Sequence, residues 1–349
     1  MAAPRVRVHH GLVTFGSLRI ALAASLLSLA SCDPAAAMDD AAAPVDGGPP
    51  DLVTHDVRII VEPSDDGAML VAAIDSATAS VHMTMYLLTD RDVIDALVRA
   101  HGRGADVRVI LNQDFPPGFV DNASAFTELA AAGIQVHWAP SRFQLTHEKC
   151  VIIDAREAWI MTMNATTSSP SSNREYLAVD HEPVDVRDAE MIFEADFADR
   201  DVPSYAGPLL VSPLNVQARL FDLLTHATSS IDLEGEELSD TNVVNALVGA
   251  HGRGVVVRVL LEGGSLTSAQ QAAVTNLTNA GIPVRQLTTP DIHAKAIVVD
   301  GALAYVGSIN FTSASITRNR ELGIVTDDAA AVMTVSTTIA ADFAAGRPF

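Results

Sequence analysis

Apolar residues recur along this chain first at helical spacing and then as short dense runs. Val93, Leu97 and Ala100 fall three to four apart and line one face of a helix, as do Val243, Leu247 and Ala250. Each of these helices runs into a Gly-containing stretch, as helix ends commonly do. A β-branched run follows in both places, residues 107–111 and 257–261, suited to a buried strand. A second helix is expected near residues 123–132 and again near 268–280, with short strands after each. From about His55 onward, strands and helices alternate without long gaps, which predicts a layered α/β fold.

The alternation is itself duplicated. Residues 95–111 align with 245–261 at an offset of 150, sharing Ala-Leu-Val, Ala-His-Gly-Arg-Gly and Val-Arg-Val. Ala132-Gly133-Ile134 is answered by Ala280-Gly281-Ile282. An internal repeat explains this economically, with one αβα unit over residues 55–204 and a second over 205–349. The His101-Gly-Arg-Gly segment and its twin stand at a helix end before a strand and read as turns rather than phosphate loops.

The start of the chain follows another pattern. Arg5, Arg7 and Arg19 precede an apolar run, residues 20–29, too short to span a bilayer, which needs roughly 20 apolar residues. Small residues and Cys32 come next, so residues 1–31 are expected to be an export signal. Leu29-Ala30-Ser31-Cys32 resembles a bacterial lipobox, which implies a lipid-modified Cys32. Residues 32–54, rich in Ala, Asp, Pro and Gly, read as a flexible tether. The expected location is the bacterial cell envelope, exported and lipid-anchored. After Cys32 only Cys150 remains, so no internal disulfide can form, and Cys150 reads as a buried structural thiol.

Charge narrows the partners. Acidic residues outnumber Lys and Arg by 43 to 22, a formal net charge of −21. Loss of residues 1–31 would remove three Arg and no acid. Such a surface repels polyanions and lacks the basic stripe of a typical nucleic-acid binder.

The chemistry lies in a doubled frame. His147, Lys149 and Asp154 form H-x-K-x4-D, and His293, Lys295 and Asp300 repeat it 146 residues later. Thr162 and Asn164 follow the first, Ser308 and Asn310 the second, and Asn173-Arg174-Glu175 is matched by Asn319-Arg320-Glu321. On strands, residues two apart share a face. Each repeat can therefore offer an imidazole, an ammonium, a hydroxyl and an amide toward one point. That set suits a phosphodiester: Lys, Asn and the hydroxyls of Thr162 and Ser308 hold the phosphate oxygens, while a His attacks phosphorus or protonates the leaving oxygen. Glu175 and Glu321 are the candidates to orient the histidines. No H-x-H, H-E-x-x-H or Cys–His cluster appears, so no metal site is expected.

These residues resemble the phospholipase D superfamily, whose signature is H-x-K-x4-D-x6-G-S-x-N. The second copy fits at His293, Lys295, Asp300, Gly307, Ser308 and Asn310; the first departs at Met161, in the Gly place, and Thr162, in the Ser place. The resemblance covers residues 55–349. It implies two pseudo-symmetric αβα-sandwich repeats packed around one shared active site, so that a monomer suffices. It implies a catalytic set of His147, Lys149, Asp154, His293, Lys295 and Asp300, no cofactor, and a covalent phosphohistidine. By the family's habit His147 is the nucleophile and His293 the acid, with Asp154 and Asp300 supporting the fold. Met161 could narrow the pocket or pack beneath it.

Three functions follow as expectations: a phospholipid-directed phosphodiesterase or phosphatidyltransferase at a membrane surface, an exported nuclease, or a degenerate phosphate- or lipid-binding lipoprotein. If the segments after the opening strands rim the cleft, residues 83–88 make one wall apolar and Glu234, Glu236 and Glu237 make the other acidic. A solvated loop is the alternative for these acids.

Overall fold

A computed structural model describes residues 53–349 apart from Pro203. The expected signal, Cys32 and nearly all of the tether lie outside the described residues. Thr54, assigned to the tether from sequence, is instead buried and bridged to Thr326, so the folded part begins there.

The first repeat runs β1 (Val57–Glu62), α1 (Ala68–Ser76), β2 (Ser80–Met85), α2 (Arg91–Gly102), β3 (Asp106–Leu111), α3 (Ala123–Ala131), β4 (Gln135–Trp138), β5 (Lys149–Ile153), β6 (Glu157–Met161), α4 (Ser168–Ser172), β7 (Asn173–Asp180) and α5 (Pro183–Phe197). The second runs β8 (Leu210–Ser212), α6 (Val216–Thr225), β9 (Ser230–Gly235), α7 (Thr241–Gly252), β10 (Val256–Glu262), α8 (Ser268–Asn279), β11 (Val284–Leu287), β12 (Asp291–Ile292), β13 (Lys295–Val299), β14 (Leu303–Gly307), α9 (Ser313–Thr317), β15 (Glu321–Thr326), α10 (Ala329–Ala345) and β16 (Arg347–Pro348).

The repeated helices form for the same local reasons. Asp90 accepts hydrogen bonds from the free N–H groups of Asp92 and Val93 at the start of α2, and Asp240 does so for Asn242 and Val243 at α7. Such a cap is worth about 1 kcal/mol. Both helices bury their apolar stripe, Val93, Leu97 and Ala100 in one and Val243, Leu247 and Ala250 in the other.

Each repeat builds one sheet in matching order. The first is β1-β7-β6-β5-β2-β3-β4, and the second is β16-β11-β10-β9-β13-β14-β15-β8. Within them β2-β3-β4 and β9-β10-β11 are parallel, and the strands carrying the doubled frame are antiparallel. Helices α1 to α3 pack on one face of the first sheet and α6 to α8 on one face of the second, each closing a separate apolar core. The opposite faces meet in a third core that draws on both repeats, including Ile152, Tyr176, Val298, Leu322, Phe193 and Phe343. Cys150 lies in this core, and burial pushes its thiol pKa up. Helices α5 and α10 flank the joint, α5 on β2, β3, β5 and β6, and α10 on β9, β10, β13 and β14.

At the doubled frame, two backbone bridges cross between the repeats. Strand β12, just before His293, runs parallel to β7, with Asp291 beside Asn173 and Ile292 beside Arg174. In the mirror position Thr146, just before His147, bridges Arg320. The main chain leading into each His therefore runs alongside the main chain leading into the Glu of the other repeat.

The altered Gly place has a packing explanation. A Cβ on Gly307 would stand 2.5 Å from the Cα of Gly323 and 2.6 Å from the carbonyl of Leu322. In the first repeat Met161 faces Leu177 instead, and both are buried in that repeat's own core. Met161 packs beneath the site and does not narrow it.

Candidate active site

The crossed bridges deliver crossed pairs. Nδ1 of His147 lies 3.0 Å from Oε2 of Glu321, and Nδ1 of His293 lies 3.0 Å from Oε2 of Glu175. Each imidazole is thus held by the carboxylate of the opposite repeat, and neither repeat holds a complete pair alone. The tripeptide that carries each Glu also steadies it: Asn173 donates Nδ2 to Glu175 and Asn319 donates Nδ2 to Glu321, both at 3.1 Å. Burial would raise the pKa of Glu321, but the neighbouring His147 and Lys149 hold it below the ordinary carboxylate range. His147 moves the other way from a free imidazole: burial, helped by Lys149 and Lys295 and opposed by Glu321, lowers its pKa and keeps the ring neutral.

Both lysines are fully buried on the first residue of their strands. Each spends one donor on the carbonyl of its own His, Lys149 at 2.7 Å and Lys295 at 2.6 Å. Burial pushes the Lys149 ammonium down to about 7. A bound phosphodiester anion would draw it back toward the charged form. Because each His is held by the Glu of the other repeat, the two frames face one site.

The hydroxyls depart from the sequence reading. Thr162 and Ser308, expected among the phosphate-binding groups, are fully buried behind the carboxylates. Thr162 donates to Glu175 at 2.5 Å and accepts from the N–H of Tyr176. Ser308 accepts from the N–H of Leu322 and donates to its carbonyl at 3.3 Å, beside Glu321, whose pKa it helps to lower. Both hydroxyls are engaged within the protein, Thr162 with Glu175 and Ser308 with the Leu322 backbone next to Glu321. The Thr-for-Ser exchange keeps that role, because both side chains supply a hydroxyl at the same place. Asn164 and Asn310 remain candidates for phosphate: each has a buried Oδ1 without a partner.

Asp154 and Asp300, counted in the catalytic frame by sequence, stand at the far ends of β5 and β13. Asp154 accepts from the N–H groups of Thr78, Ala79 and Ser80, and Asp300 from those of Thr228, Ser229 and Ser230. Both have left-handed φ, 53° and 55°. Partial burial opposes ionisation of Asp154, yet these donors bring its pKa down to about 2. Their work is to tie the turn before β2 and β9 to the frame strand, so they are structural.

Sequence reasoning missed several members. Arg174 pairs with Asp342 at 2.5 Å and Arg320 with Asp196 at 2.7 Å, again across the repeats. The signal was present: Asp196 and Asp342 share the 146-residue offset of the frames. Removing one partner of such a buried pair typically costs about 3–5 kcal/mol. Glu148 and Glu234 are buried carboxyls raised by burial to about 8 each, and Glu234 accepts from the Tyr176 hydroxyl at 2.5 Å.

The expected walls are only partly as read. Met83 and Met85 lie in the first repeat's core. The apolar contact is Tyr86, edge-on to His147 at 4.6 Å, with the Lys149 Nζ 5.0 Å from its ring centre and Phe115 behind it. Glu234 is buried in the joint between the sheets. Glu236 enters the site, with Oε2 at 2.7 Å from the Lys295 Nζ. It is no solvated loop.

Away from the site, His82, Glu190 and Glu194 bring ligand-type atoms within 4.8 Å of one another. Arg108 already donates to Glu194 at 2.6 Å, so a guanidinium holds the cation position there.

Comparison with known proteins places this geometry. The model of the family described as "Cardiolipin synthase, PLD-like domain" matches residues 70–197 and 220–344, once per repeat. A phospholipase D of Rickettsia conorii is 36% identical over 103 residues, 29% of this chain and 51% of that protein. The chain spans between 28% and 54% of the length of the curated relatives it matches. Among solved structures, phosphatidylserine synthase of Haemophilus influenzae Rd KW20 has a TM-score of 0.65 at 10% identity, over 85% of this chain and 88% of that one. Polyphosphate kinase of Porphyromonas gingivalis also scores 0.65, at 16% identity, over 82% of this chain and 47% of that one. These two likenesses speak to the fold. With a family match in each repeat and two frames meeting in one crossed site, the chain belongs to the phospholipase D superfamily.

Proposed function

We propose that this chain is a phosphodiesterase that hydrolyses or transphosphatidylates phospholipids through a phosphohistidine. The observation that carries the reading is the pair of imidazoles, each fixed through Nδ1 by a carboxylate of the opposite repeat, beside two buried lysines. Nε2 of His147 makes no protein hydrogen bond among the described residues, so its lone pair is free to attack phosphorus. The leaving oxygen takes the proton from Nε2 of His293. Water or an alcohol then gives a proton back to that nitrogen and attacks phosphorus, releasing His147.

Lipid as substrate is supported by the names of the family and of the Rickettsia relative, and by the acidic chain, which disfavours a polyanion. The loop from β3 to α3 adds support. It carries Phe115 against Tyr86 and exposes Phe119 and Val120, at 70% and 66%, where a bilayer could receive them. The test is to incubate residues 32–349 with phosphatidylglycerol vesicles and with single-stranded DNA in parallel, EDTA present. Head-group release with intact DNA is the expected result. Cleaved DNA beside untouched lipid would replace the lipase with a nuclease, and lipid binding without turnover would replace it with a degenerate binding protein.

Location is part of the proposal. No helix among the described residues is long and apolar enough to cross a membrane, and Cys32 is proposed as the anchor. Cells fed radiolabelled palmitate should label the wild type and not Cys32→Ser. Equal labelling ends the lipoprotein reading.

A further inference from the structure

The two halves of the site differ most at one pair of equivalent positions. Met85 is paired with Lys149 across β2 and β5, and Gly235 with Lys295 across β9 and β13. The next residue donates its N–H to the carbonyl between His and Lys in both cases, Tyr86 to Glu148 and Glu236 to Ala294. Tyr86 and Glu236 are therefore structural equivalents, one a neutral ring and the other a carboxylate.

That carboxylate sits where an anion would. Its Oε2 is 2.7 Å from the Lys295 Nζ, 3.2 Å from Nδ2 of Asn310 and 3.6 Å from Nε2 of His293. These are the ammonium, the amide and the imidazole that the second frame offers to phosphate. Asn310 is only 8% exposed, so the contact lies inside the site. Although burial acts the other way, Lys295 and His293 hold the pKa of Glu236 below the ordinary range, and it remains charged at neutral pH. Among the described residues no carboxylate pairs with Lys149 in the first half, where its Nζ faces the Tyr86 ring. Charge around the two halves follows the same division. Glu237 and Glu262 stand near Glu236, with Asp291 beside Glu262, and after burial the charge of Glu236 adds to raising both. The equivalents of Glu237 and Glu262 in the first repeat are Leu87 and Asn112.

We infer that Glu236 is a specificity-determining residue that acts as a built-in anion on Lys295, Asn310 and His293, so that the site accepts a singly charged phosphodiester and rejects doubly charged phosphate. The inference rests on the phosphodiester reading of this site and names its charge class. A diester carries one charge and places its phosphoryl oxygens toward Lys149 and Asn164. Its leaving or accepting oxygen then faces the acidic half, which suits a neutral or cationic head group. A phosphomonoester, nucleic-acid backbone or orthophosphate dianion brings a second charge or a chain of charges against Glu236. Rejecting the monoester also limits inhibition by the phosphatidic acid that hydrolysis leaves behind. The device is repulsive, and selectivity of this kind comes as readily from a misplaced charge as from a new contact.

Titration calorimetry of residues 32–349 with inorganic phosphate at pH 8, where the dianion dominates, tests this without turnover. Glu236→Gln, which removes the charge and keeps an acceptor for Lys295, is expected to bind phosphate at least tenfold more tightly than the wild type. Glu236→Asp, which keeps the charge, is expected to stay within about threefold of it. The mirror substitution Tyr86→Glu adds a second built-in anion beside Lys149 and is expected to weaken phosphate binding at least tenfold, which carries the test if Glu236→Gln fails to fold. Unchanged or weaker binding in Glu236→Gln overturns the inference, as does unchanged binding in Tyr86→Glu. A protein that shows the expected phosphate affinities yet releases no head group overturns the lipid reading and leaves Glu236 its role.

Discussion

His147→Ala is expected to lose both turnover and phosphoenzyme, by a factor on the order of 10⁴ or more, since it removes the proposed nucleophile and not only one of the positioned groups worth about 10²–10⁴ each. The structure distinguishes the two histidines although the frames look alike in sequence. His147 is buried, packed edge-on by Tyr86 and lowered in pKa, which leaves a neutral ring with a free Nε2 lone pair. His293 has a carboxylate facing each nitrogen, Glu175 at Nδ1 and Glu236 at Nε2. A carboxylate 3.6 Å from Nε2 favours an N–H there, which is what a proton donor needs and what a nucleophile must lack. His293→Ala should therefore still form the covalent intermediate with a p-nitrophenyl phosphodiester, whose leaving group needs no proton, and should accumulate it. Intact-mass measurement after quenching reads both variants. Phosphoenzyme in His147→Ala together with none in His293→Ala would reverse the assignment.

The fold was legible because its signals are periodic and duplicated. Helices α2 and α7 announce themselves through Val93, Leu97 and Ala100 and their counterparts, and the buried strands through β-branched runs. The His, Lys, Asn and Glu positions were legible because their spacing survives in both copies. Their roles were less so. Two-residue spacing says that Thr162 and Asn164 share a face, but not that the hydroxyl is consumed by Glu175 before it can reach a ligand. The conflict at Met161 disappears once Leu177, rather than a second Gly, is seen opposite it. Crossing is the property least visible in the chain. Each Glu lies 28 residues after the His of its own repeat, and only the β12–β7 bridge and its mirror at Thr146 decide that it serves the other one. Glu236 was quoted with its acidic neighbours, yet no local pattern says that it turns onto Lys295 while Glu234, two residues earlier, is buried against Tyr176.

The crossing makes a second large effect predictable and gives it a direction. Glu321 is fully buried, stays ionised, and accepts at Nδ1 of His147 while Asn319 donates to its other oxygen. Glu321→Gln keeps the volume and removes the charge. Its amide N–H₂ can donate to Nδ1, which moves the ring proton to Nε2 and takes away the lone pair that attacks phosphorus. Loss of the right tautomer in a comparable His–carboxylate pair costs about 10⁴ in rate, so a fall in kcat of about 10³–10⁴ is expected with the fold retained. The same change at Glu175 disturbs His293 instead, and its damage falls on protonation of the leaving group. Two substrates separate the cases. With a phospholipid, whose alcohol must be protonated, both variants should be slow. With the p-nitrophenyl diester, the burst of p-nitrophenol that reports the first step should recover most of its rate in Glu175→Gln and little in Glu321→Gln. Were each Glu to serve its own repeat, the substitution in the first repeat would strike the nucleophile, and the rescue would appear in Glu321→Gln. The leaving group alone therefore reports which histidine each carboxylate holds, and rescue of Glu321→Gln by p-nitrophenol would refute the crossed arrangement.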